Sequence, residues 1–106
     1  MAIVVVNEID GGDLDLYEKV NEEVFEGGKL PDGCHVHIAG PVENGWRVIT
    51  VWDSHDQFED FRDETLIPAI RAAGADDHSA EKISTNPVHN LMTHPAFIEG
   101  QTGDMT

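Results

Sequence analysis

Basic residues are scarce in this chain: six Lys and Arg stand against 21 Asp and Glu, a net charge of −15 over 106 residues. So acidic a surface repels phosphate backbones and anionic headgroups, which excludes nucleic acid and the membrane surface as partners. The imbalance suits a high-salt habitat or an ordinary acidic protein, since charge speaks to solvent rather than fold. Cysteine is nearly absent too. Cys34 alone cannot close an internal disulfide, so a cytoplasmic location is expected. No apolar run approaches the roughly 20 residues of a membrane-spanning helix. The start, MAIVVVNEID, lacks a basic segment and reads as a strand, not a signal peptide. Also missing are a phosphate loop, a dinucleotide fingerprint and a nucleophile motif. The carboxylates follow no metal-ligand spacing, so neither a metal nor a cofactor is expected.

What is present is concentrated between Cys34 and Ile70. Cys34 to Ala39 and Trp46 to Trp52 are β-rich runs separated by Pro41, Asn44 and Gly45, which predicts a hairpin with a loop of several residues. A helix follows at once, with Ser54 as its cap, Gln57 able to return a bond to the cap, and Phe58 and Phe61 on its buried face. Pro68 cannot sit in an unbroken helix, so a kink or restart is expected near Thr65, with Ile67 and Ile70 still packing inward and Gly74 as the stop. An earlier helix is expected from Leu14 to Glu26, capped by Asp13 and ended by Gly27 and Gly28. Its buried stripe is Leu16 or Tyr17, Val20 and Val24. Asp77 to Ser79 reads as loop, and Glu81 to about Thr93 as a last strand or strand pair broken at Pro87. Residues 1–95 then form one α+β domain of order βαββαβ, and residues 96–106 a flexible tail. Strands Ala2 to Ile9 and Trp46 to Trp52 are apolar in both parities. Two helical segments cover only one sheet face, so a homodimer is expected to cover the other.

The block WRVITVWDSHDQFEDF, together with HIAGP, Gly45-Trp46-Arg47 and Pro87-Val88-His89-Asn90, resembles the dimeric α+β barrel superfamily, and within it the antibiotic biosynthesis monooxygenase-like proteins. The resemblance implies a ferredoxin-like antiparallel sheet that pairs face to face with a second copy. Its members include cofactor-independent oxygenases of aromatic polyketides, polyketide cyclases, haem-degrading enzymes and proteins with no known reaction. Trp52 matches a strand-end Trp of the oxygenases and of the haem-degrading members, and Asn7 falls where the latter place a catalytic Asn. Their helix-two His is missing, because this chain has Phe61-Arg62-Asp63 there. The oxygenases place an Asn and a Tyr where this chain has Val48 and Phe58.

The residues left to carry chemistry are histidines around an apolar pocket. His35 and His37, two apart on a strand, are expected to share one face. The topology implied by the resemblance could bring His37 near His89 of a second copy. The expected catalytic set is His37, His89, Trp52 and Asn7. His35, Trp46, Arg47, Phe58 and Asn90 are expected to bind substrate. Arg47, on a strand expected to be buried, calls for Asp53, Glu43 or an anionic ligand as partner. Trp52 also has a plainer role as a core aromatic, and Asn7 as a partner for backbone groups. The expected function is a cofactor-independent monooxygenase, or a cyclase or isomerase, acting on a small aromatic or polyketide-like molecule; the alternative is a small-ligand-binding or stress-related dimer without turnover.

Overall fold

The computed structural model describes residues 1–25, 28–74 and 82–92. Strand β1 (Ile3–Asp10), helix α1 (Leu14–Val24), strands β2 (Cys34–Val42) and β3 (Gly45–Trp52), and helix α2 (His55–Phe61) follow in order. A π-helical turn (Arg62–Leu66), helix α3 (Ile67–Ala72) and strand β4 (Ile83–Pro87) complete the fold. The strands lie in the order β2-β3-β1-β4, each antiparallel to its neighbours. This is an α+β sheet of ferredoxin-like connectivity, with the helices on one face. The sequence expectations at Gly27, at Asp77 to Ser79 and for the tail after Pro95 lie outside the described residues.

The helix caps form as their chemistry requires. The Asp13 carboxylate accepts from Leu16 N at 2.9 Å, and Ser54 Oγ accepts from Gln57 N at 3.2 Å. Gln57 does not reach back to the cap's backbone; its Oε1 accepts from the Ser54 hydroxyl instead, at 3.3 Å. Pro68 sits at the opening of α3, where its missing N–H costs nothing, and the π-helical turn before it absorbs the misfit. Gly74 closes α3 at φ 84°, a left-handed conformation that favours glycine.

The hairpin is tighter than its sequence predicts. Val42 pairs with Gly45, so only Glu43 and Asn44 turn, with Asn44 at φ 69°. Pro41 is no turn residue but a strand residue opposite Trp46, tolerated because β2 is an edge strand whose outward N–H groups need no partner. Gly45 is required by crowding, since a Cβ there would collide with the Ile9 carbonyl oxygen of β1. The last strand stops at Pro87, and Val88 N bonds Ala2 O at 2.9 Å as the chain leaves the sheet.

Ile3, Val5, Cys34, Trp52 and Phe58 form the core between sheet and helices, with Phe61 and Ile83 packed against it. Trp52 is the most enclosed large side chain, 1% exposed. On the opposite face Val4, Val6, Val36 and Ile49 are half-buried, and Ile38 is 55% exposed. Val51 is buried there beside Val4, where Pro87 to Leu91 borders a shallow depression.

Candidate functional site

A β-bulge decides which side chains reach the helix side of the sheet. Cys34 pairs with Trp52 and Val36 with Val51, so β2 carries one extra residue at His35. His37 then pairs with Thr50 and shares a face with Cys34, Thr50 and Trp52. The expectation that His35 and His37 share a face is overturned by this bulge. His35 points to solvent, where its Nε2 meets Asp53 Oδ1 at 2.6 Å, a surface pair of small energetic weight.

Between sheet and helices lies a cavity of about 70 Å³ walled by Val5, Asn7 and Ile9 of β1, His37 of β2, Trp46, Val48 and Thr50 of β3, and the inner sides of the helices. Aromatic rings run continuously along it. Tyr17 packs at a tilt against Trp46 and His37, Phe25 meets His37 edge-on and stacks on Phe61, and Phe61 packs at a tilt against Trp52. Tyr17 is the residue that sequence reasoning passed over, named only as an alternative to Leu16 in a buried stripe. Its hydroxyl lies 2.6 Å from His37 Nε2. The signal was available: the chain's single tyrosine, on an apolar helix face, needs a partner for its hydroxyl.

Among the described residues three buried polar side-chain atoms have no partner, Asn7 Oδ1, His37 Nδ1 and Trp46 Nε1, and all three belong to residues that wall this cavity. Leaving a buried polar atom unpaired costs roughly 1 to 3 kcal/mol. Three such costs at one cavity make it the candidate site for a molecule with polar groups of its own. No Lys or Arg lines it among the described residues, and its one acid, Asp13, is engaged as the α1 cap. The site therefore suits a neutral occupant.

Burial holds the His37 imidazole below its ordinary value, so it is neutral at pH 7. Burial, and then the nearby Glu18 carboxylate, push Tyr17 upward, so the phenol keeps its proton. Cys34, pushed up to about 11 by burial, is an inert thiol. The depressed His37 has a consequence for folding. Below about pH 6.5 an unfolded histidine binds a proton that the folded one refuses, so His37 erodes stability as pH falls through that value toward its folded pKa. Urea unfolding of wild type and His37→Gln at about pH 7.5 and about pH 5 should show the wild type's relative stability shrinking on acidification. A difference that stays constant or grows would contradict the burial of His37.

The other expected site residues lie elsewhere. Trp52 is in the core and off the cavity wall, its Nε1 donating to Thr50 Oγ1 at 2.9 Å; Phe58 is buried beside it and does reach the wall. Arg47 is exposed on the open face, opposite Glu8 in the β1 register, and no carboxylate pairs with it among the described residues. On this face the strand is exposed at Arg47, which removes the reason for expecting a buried ion pair. His89 and Asn90 follow β4 rather than lying on it, and border the depression on the open face. His37 faces the helices instead. Within one copy, His37 and His89 thus lie on opposite faces of the sheet.

The fold and cavity define a small α+β protein with a mostly apolar cavity between its sheet and helices. Compared with protein-family models, curated proteins and solved structures, the chain finds no match. Among the described residues no helix is long and apolar enough to cross a membrane.

Proposed function

We propose that this chain binds a small, neutral, flat molecule between its sheet and helices and catalyses proton transfer on it without a cofactor. That step is shared by cofactor-independent monooxygenases, cyclases and isomerases of aromatic or polyketide-like molecules. The observation that carries the reading is the convergence of Asn7, His37 and Trp46, each with an unpartnered buried polar atom, on one aromatic-walled cavity. His37, held neutral by burial, has one ring nitrogen that can give a proton and one that can take one. Asn7 and Trp46 supply an acceptor and a donor to hold the molecule's polar edge.

The cavity is small beside the roughly 150 Å³ space that takes up benzene. An aromatic occupant needs one wall to yield. Helix α1 is that wall, because none of its residues is fully buried.

We further propose that two copies pair through the open sheet face, where Val4, Val6, Val36, Ile38 and Ile49 form an apolar surface away from the helices. This pairing leaves the cavity within each copy.

Exchange of the α-protons of 2-indanone in deuterated buffer, followed by NMR, tests the catalytic reading. Wild type should accelerate exchange over buffer, and His37→Leu should lose about 10²- to 10⁴-fold of that acceleration. Acceleration unchanged in the variant would remove His37 from the chemistry. Binding of 2-indanone without exchange would favour the second reading, a ligand carrier.

A further inference from the structure

His37 has two ring nitrogens, and the structure uses them differently. Nε2 meets the Tyr17 hydroxyl at 2.6 Å, whereas Nδ1 is buried with no partner. A phenol is a stronger acid than the N–H of a neutral imidazole. Between two neutral groups the Tyr17 hydroxyl therefore donates and Nε2 accepts, which leaves the ring proton on Nδ1.

We infer that Tyr17 is a positioning residue that locks His37 as an Nδ1–H donor, and that the site consequently takes a ligand presenting a carbonyl oxygen. The inference rests on the cavity being a ligand site and specifies its chemistry. With Nδ1–H and the Trp46 indole N–H both unpaired, two donors lack an acceptor, and a carbonyl oxygen with two lone pairs answers that need. Asn7 Oδ1 is the complementary acceptor and suits a hydroxyl or N–H on the same molecule. An anionic carboxylate would also accept from the donors, but no Lys or Arg among the described cavity residues neutralises it, and the net charge of −15 disfavours its approach. In the resting protein His37 polarises the ligand's oxygen through Nδ1–H, and Nε2 becomes the acceptor for the ligand's α-proton only when the Tyr17 hydroxyl leaves it.

Tyr17 and His37 come from different layers, one on α1 and one on β2. Their bond therefore also ties the least buried helix to the sheet. A yielding α1 would release the histidine from its tautomer as it opens the cavity.

The test is long-range ¹H–¹⁵N correlation of the histidine rings in the full chain, recorded above pH 7. Wild type should show His37 with Nδ1 protonated and Nε2 bare. Tyr17→Phe removes the hydroxyl and keeps the ring, and should move the proton to Nε2, the tautomer an unconstrained histidine prefers. An Nε2–H tautomer in wild type, or no change in Tyr17→Phe, would overturn the inference. Two probes address the ligand class. Cyclopentanone should shift the His37 Nδ1–H and Trp46 indole N–H resonances, and cyclopentene, lacking the oxygen, should shift them far less. Equal shifts from both would overturn the carbonyl assignment. If neither probe perturbs any cavity resonance, the ligand-site reading itself fails along with the carbonyl assignment, whereas the tautomer of the free protein still judges the role of Tyr17 separately.

Discussion

Replacing Trp52 by Ala is expected to cost about 3 to 5 kcal/mol of folding stability, the range for truncating a buried Trp or Phe. Trp52 is 1% exposed, contacts the rings of Phe58 and Phe61, and gives its indole N–H to Thr50. Truncation removes those contacts together and leaves the buried Thr50 hydroxyl without its donor. A domain of this size holds roughly 5 to 15 kcal/mol in all, so the variant should unfold at a much lower urea concentration. Trp52→Phe should recover most of the loss, because the ring matters more than the N–H. A cost below about 1 kcal/mol for Trp52→Ala would show that Trp52 is not the centre of the core. Any loss of activity in the alanine variant would first need to be separated from loss of fold.

The second large effect is expected at Ile38, on the open sheet face. In a single copy it is 55% exposed, so Ile38→Asp should leave the fold of that copy intact. In a dimer paired through that face, the same carboxylate would be buried among valines and isoleucines. Burying it unpaired costs several kcal/mol. At about 1.4 kcal/mol per tenfold, association should weaken by roughly a thousandfold or more. Light scattering behind size exclusion, at raised ionic strength to screen the acidic surface, should show a wild-type dimer and an Ile38→Asp monomer. A wild-type monomer at high micromolar concentration would sink the dimer. A variant that stays dimeric would move the interface to another surface.

Much of the fold was legible because its determinants are local. Asp13 and Ser54 cap helices through atoms only a few residues away, and Pro68 forces a restart through its own missing N–H. The two-sided apolar character of β1 was legible as well, since alternation in a strand is read directly from the residues. The site was less legible because it depends on pairing between distant segments. Nothing near His35 announces a bulge; the extra residue exists only in relation to β3, and it alone sends His35 outward while keeping His37 inside. His89 was expected on a strand that in fact ends at Pro87. Asn7, Trp46 and Phe58 do reach the cavity wall, as does His37. Tyr17 joins them through a contact spanning twenty positions, which spacing within one helix does not reveal.

The π-helical turn from Arg62 to Leu66 acts as a phase shift in the helical register. An α-helix advances about 100° per residue, so a single additional residue rotates everything after it by more than a quarter turn. Phe58 and Phe61 before the turn, and Leu66 and Ile70 at its end and beyond, all reach the same cavity. One inserted or deleted residue here would re-aim the downstream half of the wall while leaving β3, α2 and the bond between Tyr17 and His37 in place. A change of length at this turn would thus reshape the cavity and leave Asn7, His37 and Trp46 untouched.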